Sequence, residues 1–90
     1  MCGPQRGATV GFVNDEMLAE LDALATARWA VSAGVAQPLR RKALLSGREV
    51  ARAVGVDAHT LSRWEHGRHL PRGACGVRYG KILQQWVGGQ

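Results

Sequence analysis

The sequence has few cysteines, no long apolar run and little acid after its first third, and each shortage excludes something. Its two cysteines, Cys2 and Cys75, form no CxxC pair. They read as reduced thiols, not as a disulfide scaffold. No stretch of about 18 apolar residues occurs, so no membrane span is expected. The opening MCGPQRGATVGFV is broken by three glycines and a proline and does not read as a secretory signal. There are no internal repeats. No Ser/His/Asp or paired-carboxylate arrangement falls where a pocket is expected, so an enzyme is not expected. His59, His66 and His69 have Cys75 nearby but show no recognised ligand spacing, so neither a metal nor another cofactor is expected. A chain of 90 residues, 46% hydrophobic, has room for one small core.

What is present is a divided charge. Residues 1–34 set Arg6 and Arg28 against Asp15, Glu16, Glu20 and Asp22, a net of −2. Residues 35–90 set ten Arg and Lys against Glu49, Asp57 and Glu65, a net of +7, and the whole chain carries +5. A basic body joined to an acidic helix suggests a nucleic-acid face with a separate element pointing elsewhere.

Hydrophobic periodicity and capping signals predict an all-α chain of about five helices. Residues 1–13 read as a flexible tail, 14–34 as an acidic N-terminal helix and 35–87 as the main domain. Asn14 is a good N-cap, and Asp15 and Glu16 suit a first turn. Leu18, Leu21, Ala25 and Trp29 form one apolar stripe, widened by Met17, Leu24 and Val31. Gly34 is a C-terminal stop. Pro38 opens a second helix through about Leu44, with Leu39 and Ala43 inward. Ser46 and Glu49 make a capping box for helix 47–54. Asp57 caps helix 58–66, whose inward pair is Leu61 and Trp64. A last helix over about 73–87 carries Val77, Ile82, Leu83 and Trp86 on its apolar face. Gly76 and Gly80 weaken it, and residues 88–90 are expected to fray.

Helix 47–54, the Gly55-Val56-Asp57 turn and helix 58–66 have the dimensions of a helix-turn-helix. Ala51 is small where the helices cross, and Gly55 accepts positive φ. The stretch LSGREVARAVGVDAHTLSRWEHGRHLP resembles the Xre family, the lambda-repressor-like DNA-binding domains of phages and bacteria. The matching residues are Leu45, Ser46, Glu49-Val50-Ala51, Gly55-Val56, Thr60-Leu61-Ser62, Trp64-Glu65, Gly67 and Pro71. The resemblance covers about residues 36–85. It departs at Gly47, where the family often has a phosphate-holding Gln; that contact is either missing or made by the backbone amide. It departs again at Asp57, where Ser or Thr is usual.

The resemblance implies a five-helix lambda-repressor-like domain with an extra N-terminal helix, binding double-stranded DNA. It implies that helix 58–66 enters the major groove, with Ala58, His59, Ser62 and Arg63 as base readers. Arg63 is the strongest of these, because a guanidinium meets guanine O6 and N7 bidentately. Arg40, Arg41, Arg48, Thr60, His66, Arg68 and Arg72, with His69, are candidates for the phosphate backbone. It also implies an ion pair between Arg40 and Glu65, which explains a carboxylate on a DNA-facing helix.

The expected activity is a sequence-specific transcription regulator, a repressor more readily than an activator, in the cytoplasm of a bacterial cell or phage-infected host and associated with the nucleoid. Two alternatives stay open: an antitoxin that represses its own promoter, and an interaction adaptor that keeps the fold without the DNA. The acidic helix either packs as an extra core helix or serves as a homodimer or protein-partner surface, with Leu18 and Trp29 as anchors. The C-terminal helix is a second route to a homodimer.

Overall fold

The computed structural model describes residues 15–88, which form five α-helices and, among the described residues, no strand. They are α1 (Asp15–Ala33), α2 (Ala36–Lys42), α3 (Gly47–Val54), α4 (Ala58–Glu65) and α5 (Gly73–Gly88). The N-terminal helix is one of these five. The expected tail, the Asn14 cap and residues 89–90 lie outside the described residues.

Helix ends follow one device. At the ends of α1 to α4 an i→i−5 bond closes the last turn: Val35 to Ala30, Leu45 to Arg40, Val56 to Ala51 and Arg68 to Arg63. Each closure needs a left-handed residue just before the donor. Gly34, Gly55 and Gly67 supply three of them, and Leu44, at φ 64°, supplies the fourth. Helix α2 therefore ends at Lys42 and not at Leu44, which projects into solvent with 89% exposure. The capping box forms as the sequence reads it: Ser46 Oγ accepts from Glu49 N at 3.1 Å, and Ser46 N donates to the Glu49 carboxylate at 2.8 Å. These bonds hold the Glu49 carboxyl below its ordinary range, the backbone bond contributing most.

The core joins Ala27, Ala30 and Val31 of α1 and Ala36 of α2 to Val50, Ala51 and Val54 of α3, Leu61 and Trp64 of α4, and Tyr79 and Leu83 of α5. The Trp64 and Tyr79 rings meet at a tilt, with centroids 5.2 Å apart. The apolar face expected for α5 omits its largest buried side chain, Tyr79. Leu83 is buried as expected, while Val77, Ile82 and Trp86 are only partly covered.

The face expected for α1 is the main correction. Ala23, Ala27, Ala30 and Val31 are buried, whereas Leu18, Leu21 and Trp29 are each more than half exposed. The reason lies on α5. Helix α1 packs mainly on α5, and at Gly80 the two backbones come so close that a Cβ there would sit 1.7 Å from the Ala23 carbonyl oxygen. An approach that close admits alanine and glycine but no leucine. Gln84 Nε2 bridges the same two helices, donating to Asp22 Oδ2 at 2.9 Å and to Thr26 Oγ1 at 3.2 Å. The acidic helix is thus packed onto the body and is not a detached element preceding residue 35.

Candidate nucleic-acid interface

Helix α4 is held from both ends and from beneath. At its start Asp57 Oδ1 accepts from Thr60 N at 2.6 Å. That backbone bond, chiefly, keeps the Asp57 carboxyl below its usual range, so the cap is ionised at neutral pH. Beneath it, Leu61 and Trp64 are buried. The i, i+3 spacing of that pair turns the remaining positions outward. Ala58, His59, Ser62 and Arg63 are accordingly all exposed. The four expected base readers thus share the solvent side of one short helix. His66 folds back at the C-terminal end, its Nδ1 2.7 Å from Ser62 O.

Helix α3 crosses behind α4 and is tied to α5. Arg78 Nη1 donates to Val54 O at 3.2 Å, placing a cation on the last carbonyls of α3. In the turn between them Gly55 sits at φ 96°.

Arg40 and Glu65 meet as the resemblance implies. The guanidinium grips the carboxylate bidentately, Nε to Oε2 at 2.6 Å and Nη2 to Oε1 at 3.0 Å. Nη1 donates to Leu45 O at 2.8 Å. The side chains are 12% and 4% exposed. The hydrogen bond to Glu65 raises the already high Arg40 pKa. Three of the five guanidinium N–H groups therefore face inward, which makes Arg40 a strut between α2 and α4 and draws it away from the exposed basic set.

The remaining phosphate candidates divide into groups. Thr60, Arg63, Arg68 and Arg72 line one open hollow of about 650 Å³, together with His69 and Arg28. Arg63 and Arg68 also line a smaller hollow of about 270 Å³ with His59, Ser62 and His66. Arg41 and Arg48 are exposed but line neither hollow. Arg28 is the residue that sequence reasoning missed. It lies on the acidic helix, and its Nε donates to Pro71 O, 43 residues away, at 2.9 Å. Only the three-dimensional return of the chain brings it to the basic loop. Among the described residues no group of His, Cys, Asp or Glu is arranged to hold a metal ion, and no helix is long and apolar enough to cross a membrane.

Comparison with known proteins gives one family. A helix-turn-helix domain model matches residues 33–82, which spans α2, α3, α4 and most of α5. No curated protein and no solved structure matches the chain. With the capped α3–α4 pair, the left-handed Gly55 between them and the matched segment covering more than half of the chain, this protein belongs to the helix-turn-helix domain family, a class found in Xre-like DNA-binding regulators.

Proposed function

We propose that this chain is a sequence-specific double-stranded DNA-binding transcription regulator that acts by repression and not as an enzyme. The carrying observation is the outer face of α4, where Ala58, His59, Ser62 and Arg63 are exposed side by side above a buried Leu61–Trp64 pair. A rigid helix presenting donors and a methyl group suits the major groove, whose edges carry a distinct pattern for each base pair. Arg63 is the principal reader. Arg68, Arg72, Arg41, Arg48, Thr60 and His66 hold the backbone, and repression follows from occluding polymerase. The test is selection from pooled random duplexes, followed by anisotropy titrations with the enriched sequence. An enriched motif that loses preference at one position in Arg63→Ala supports the reading. Salt-sensitive binding without enrichment would make the protein a non-specific architectural one.

The uncovered face of α1 favours a homodimer as the form that binds. Between α1 and α5 lies an open groove of about 610 Å³ whose lining includes Leu21, Leu24, Ala74 and Val77, with Glu20 on one rim and Lys81 on the other. Opposite charges on the two rims suit a second copy of this chain: about a two-fold axis, each Glu20 meets the other copy's Lys81. Two copies would read half-sites about 34 Å apart, so the selected motif should be a palindrome. Sedimentation of wild type and Leu21→Glu tests this. A wild-type dimer that the substitution dissociates supports it, and a wild-type monomer with a non-palindromic motif removes it. A chain that binds no duplex at all would instead favour the adaptor reading, with a protein partner on the same face.

A further inference from the structure

The larger hollow has a composition that the helix-turn-helix segment alone does not explain. Its cations come from three places in the chain: Arg63 on α4, Arg68 and Arg72 in the loop that follows, and Arg28 on α1. Among the described residues no carboxylate lines it. Two acids of α1 face elsewhere: Asp22 bonds Gln84 on α5, and Glu20 lines the groove beside Lys81. Arg28 is the only basic residue of α1, and it lies outside the segment that the family model matches. Its Nε bond to Pro71 O fastens the loop bearing Arg68, His69 and Arg72. Among the described residues neither of its Nη nitrogens has a partner, so the guanidinium fork remains available to a ligand. Pro71 is itself buried, which makes the fastening point firm.

We propose that this hollow is a binding site for DNA backbone phosphate, and that α1 enters the nucleic-acid interface through Arg28. The proposal rests on the DNA-binding reading given above. A guanidinium fork suits phosphate because two parallel N–H groups meet two oxygens. Three such forks, Arg28, Arg68 and Arg72, around one open hollow that Arg63 and the Thr60 hydroxyl also line, suit a repeating anion such as a nucleic-acid strand better than an isolated carboxylate. Arg28 therefore has two separable roles: its Nε positions the loop, and its charge neutralises a phosphate.

The test uses the full chain and a random-sequence duplex of about 30 base pairs, titrated by anisotropy at several salt concentrations between about 50 and 200 mM, where the slope of log K against log salt reports the number of phosphates neutralised. Arg28→Gln is expected to make that slope shallower by about 1 and to weaken binding to all sequences alike. Arg28→Lys keeps the charge but loses the planar fork and its Nε donor, and is expected to keep the wild-type slope. Thermal unfolding of both variants monitors the loop fastening separately. An unchanged slope and affinity in Arg28→Gln overturns the proposal. So does an Arg28→Lys variant whose slope falls as far as that of Arg28→Gln, which would make the effect one of loop position alone. Wild-type protein that binds no duplex defeats the DNA reading itself, and this proposal with it. Inorganic phosphate serves as the competing probe: if it displaces the duplex no better than an equal ionic strength of chloride, the site requires a polymer, and if it binds tightly alone the hollow is a small-anion site instead.

Discussion

Replacing Gly80 by alanine sets two helix rules against each other. Helix propensity favours alanine by about 1 kcal/mol in a helix interior. The structure opposes it, because the new Cβ would lie 1.7 Å from Ala23 O, 2.4 Å from Ala23 C and 3.0 Å from Ala23 Cα. These are backbone atoms and cannot rotate aside. To restore a carbon contact of about 3.5 Å, α1 must retreat by more than roughly 1.5 Å. Overpacking of this kind costs about 1–3 kcal/mol, occasionally more. The retreat also loosens Ala23, Ala27 and Ala30, each now fully buried, at up to about 0.8 kcal/mol per methyl group uncovered. After the propensity gain, a net destabilisation of about 3 kcal/mol is expected, which in a domain this small lowers Tm by roughly 12–24 °C. Thermal unfolding by far-UV circular dichroism measures it. Gly47→Ala is the control, since a Cβ there meets only Leu61 Cδ2 at an ordinary 3.8 Å, and its Tm should stay level or rise slightly. A Gly80→Ala variant as stable as wild type, or more so, would refute the close α1–α5 approach.

Three further substitutions read other parts of the molecule. Glu65→Ala strands Arg40 at a side chain only 12% exposed, so a loss of about 3 kcal/mol is expected in denaturant unfolding, with weaker DNA binding as α4 loosens; no change in either would remove the strut. Tyr79→Phe deletes a buried hydroxyl that has no hydrogen-bond partner among the described residues and should leave stability equal or slightly higher, whereas a fall of more than about 1 kcal/mol would mean that the hydroxyl is bonded. Asp57 and Glu49 have folded pKa values below their unfolded ones, so their capping contribution is present above about pH 4 and is lost as pH falls through the lowered values. Asp57→Asn, which caps without titrating, should flatten the acid limb of Tm against pH, and an unchanged limb would show that the cap does not carry it.

The matched segment was the legible part, because its signals are local. A capping box links residues three positions apart, the Gly55 turn announces itself by residue type, and Leu61 and Trp64 show their shared face by spacing. The Arg40–Glu65 pair came through family resemblance; 25 residues of separation hide it from any local rule. Helix α1 was misread for a physical reason. Its large apolar residues make the stronger hydrophobic stripe, and size is what periodicity weighs. The buried face is instead the one small enough to lie against Gly80, and that requirement belongs to a helix more than forty residues further on. The same distance concealed Arg28. Gly76 and Gly80 looked like weaknesses of α5 because propensity counts what glycine lacks in a helix and not what its missing side chain admits.

The contact between α1 and α5 also bears on how such a protein can be cut and recombined. The recognisable segment begins at residue 33, but Gly76 and Gly80 of α5 are shaped to lie against Leu24 and Ala23, which precede it. A chain started at the edge of the recognisable segment would leave α5 with a bare, glycine-lined seam. The unit that folds cooperatively is therefore larger than the unit that can be recognised. Exchanging recognition modules between regulators of this build would have to move α1 along with α4, carrying with it the exposed Leu18 and Leu21.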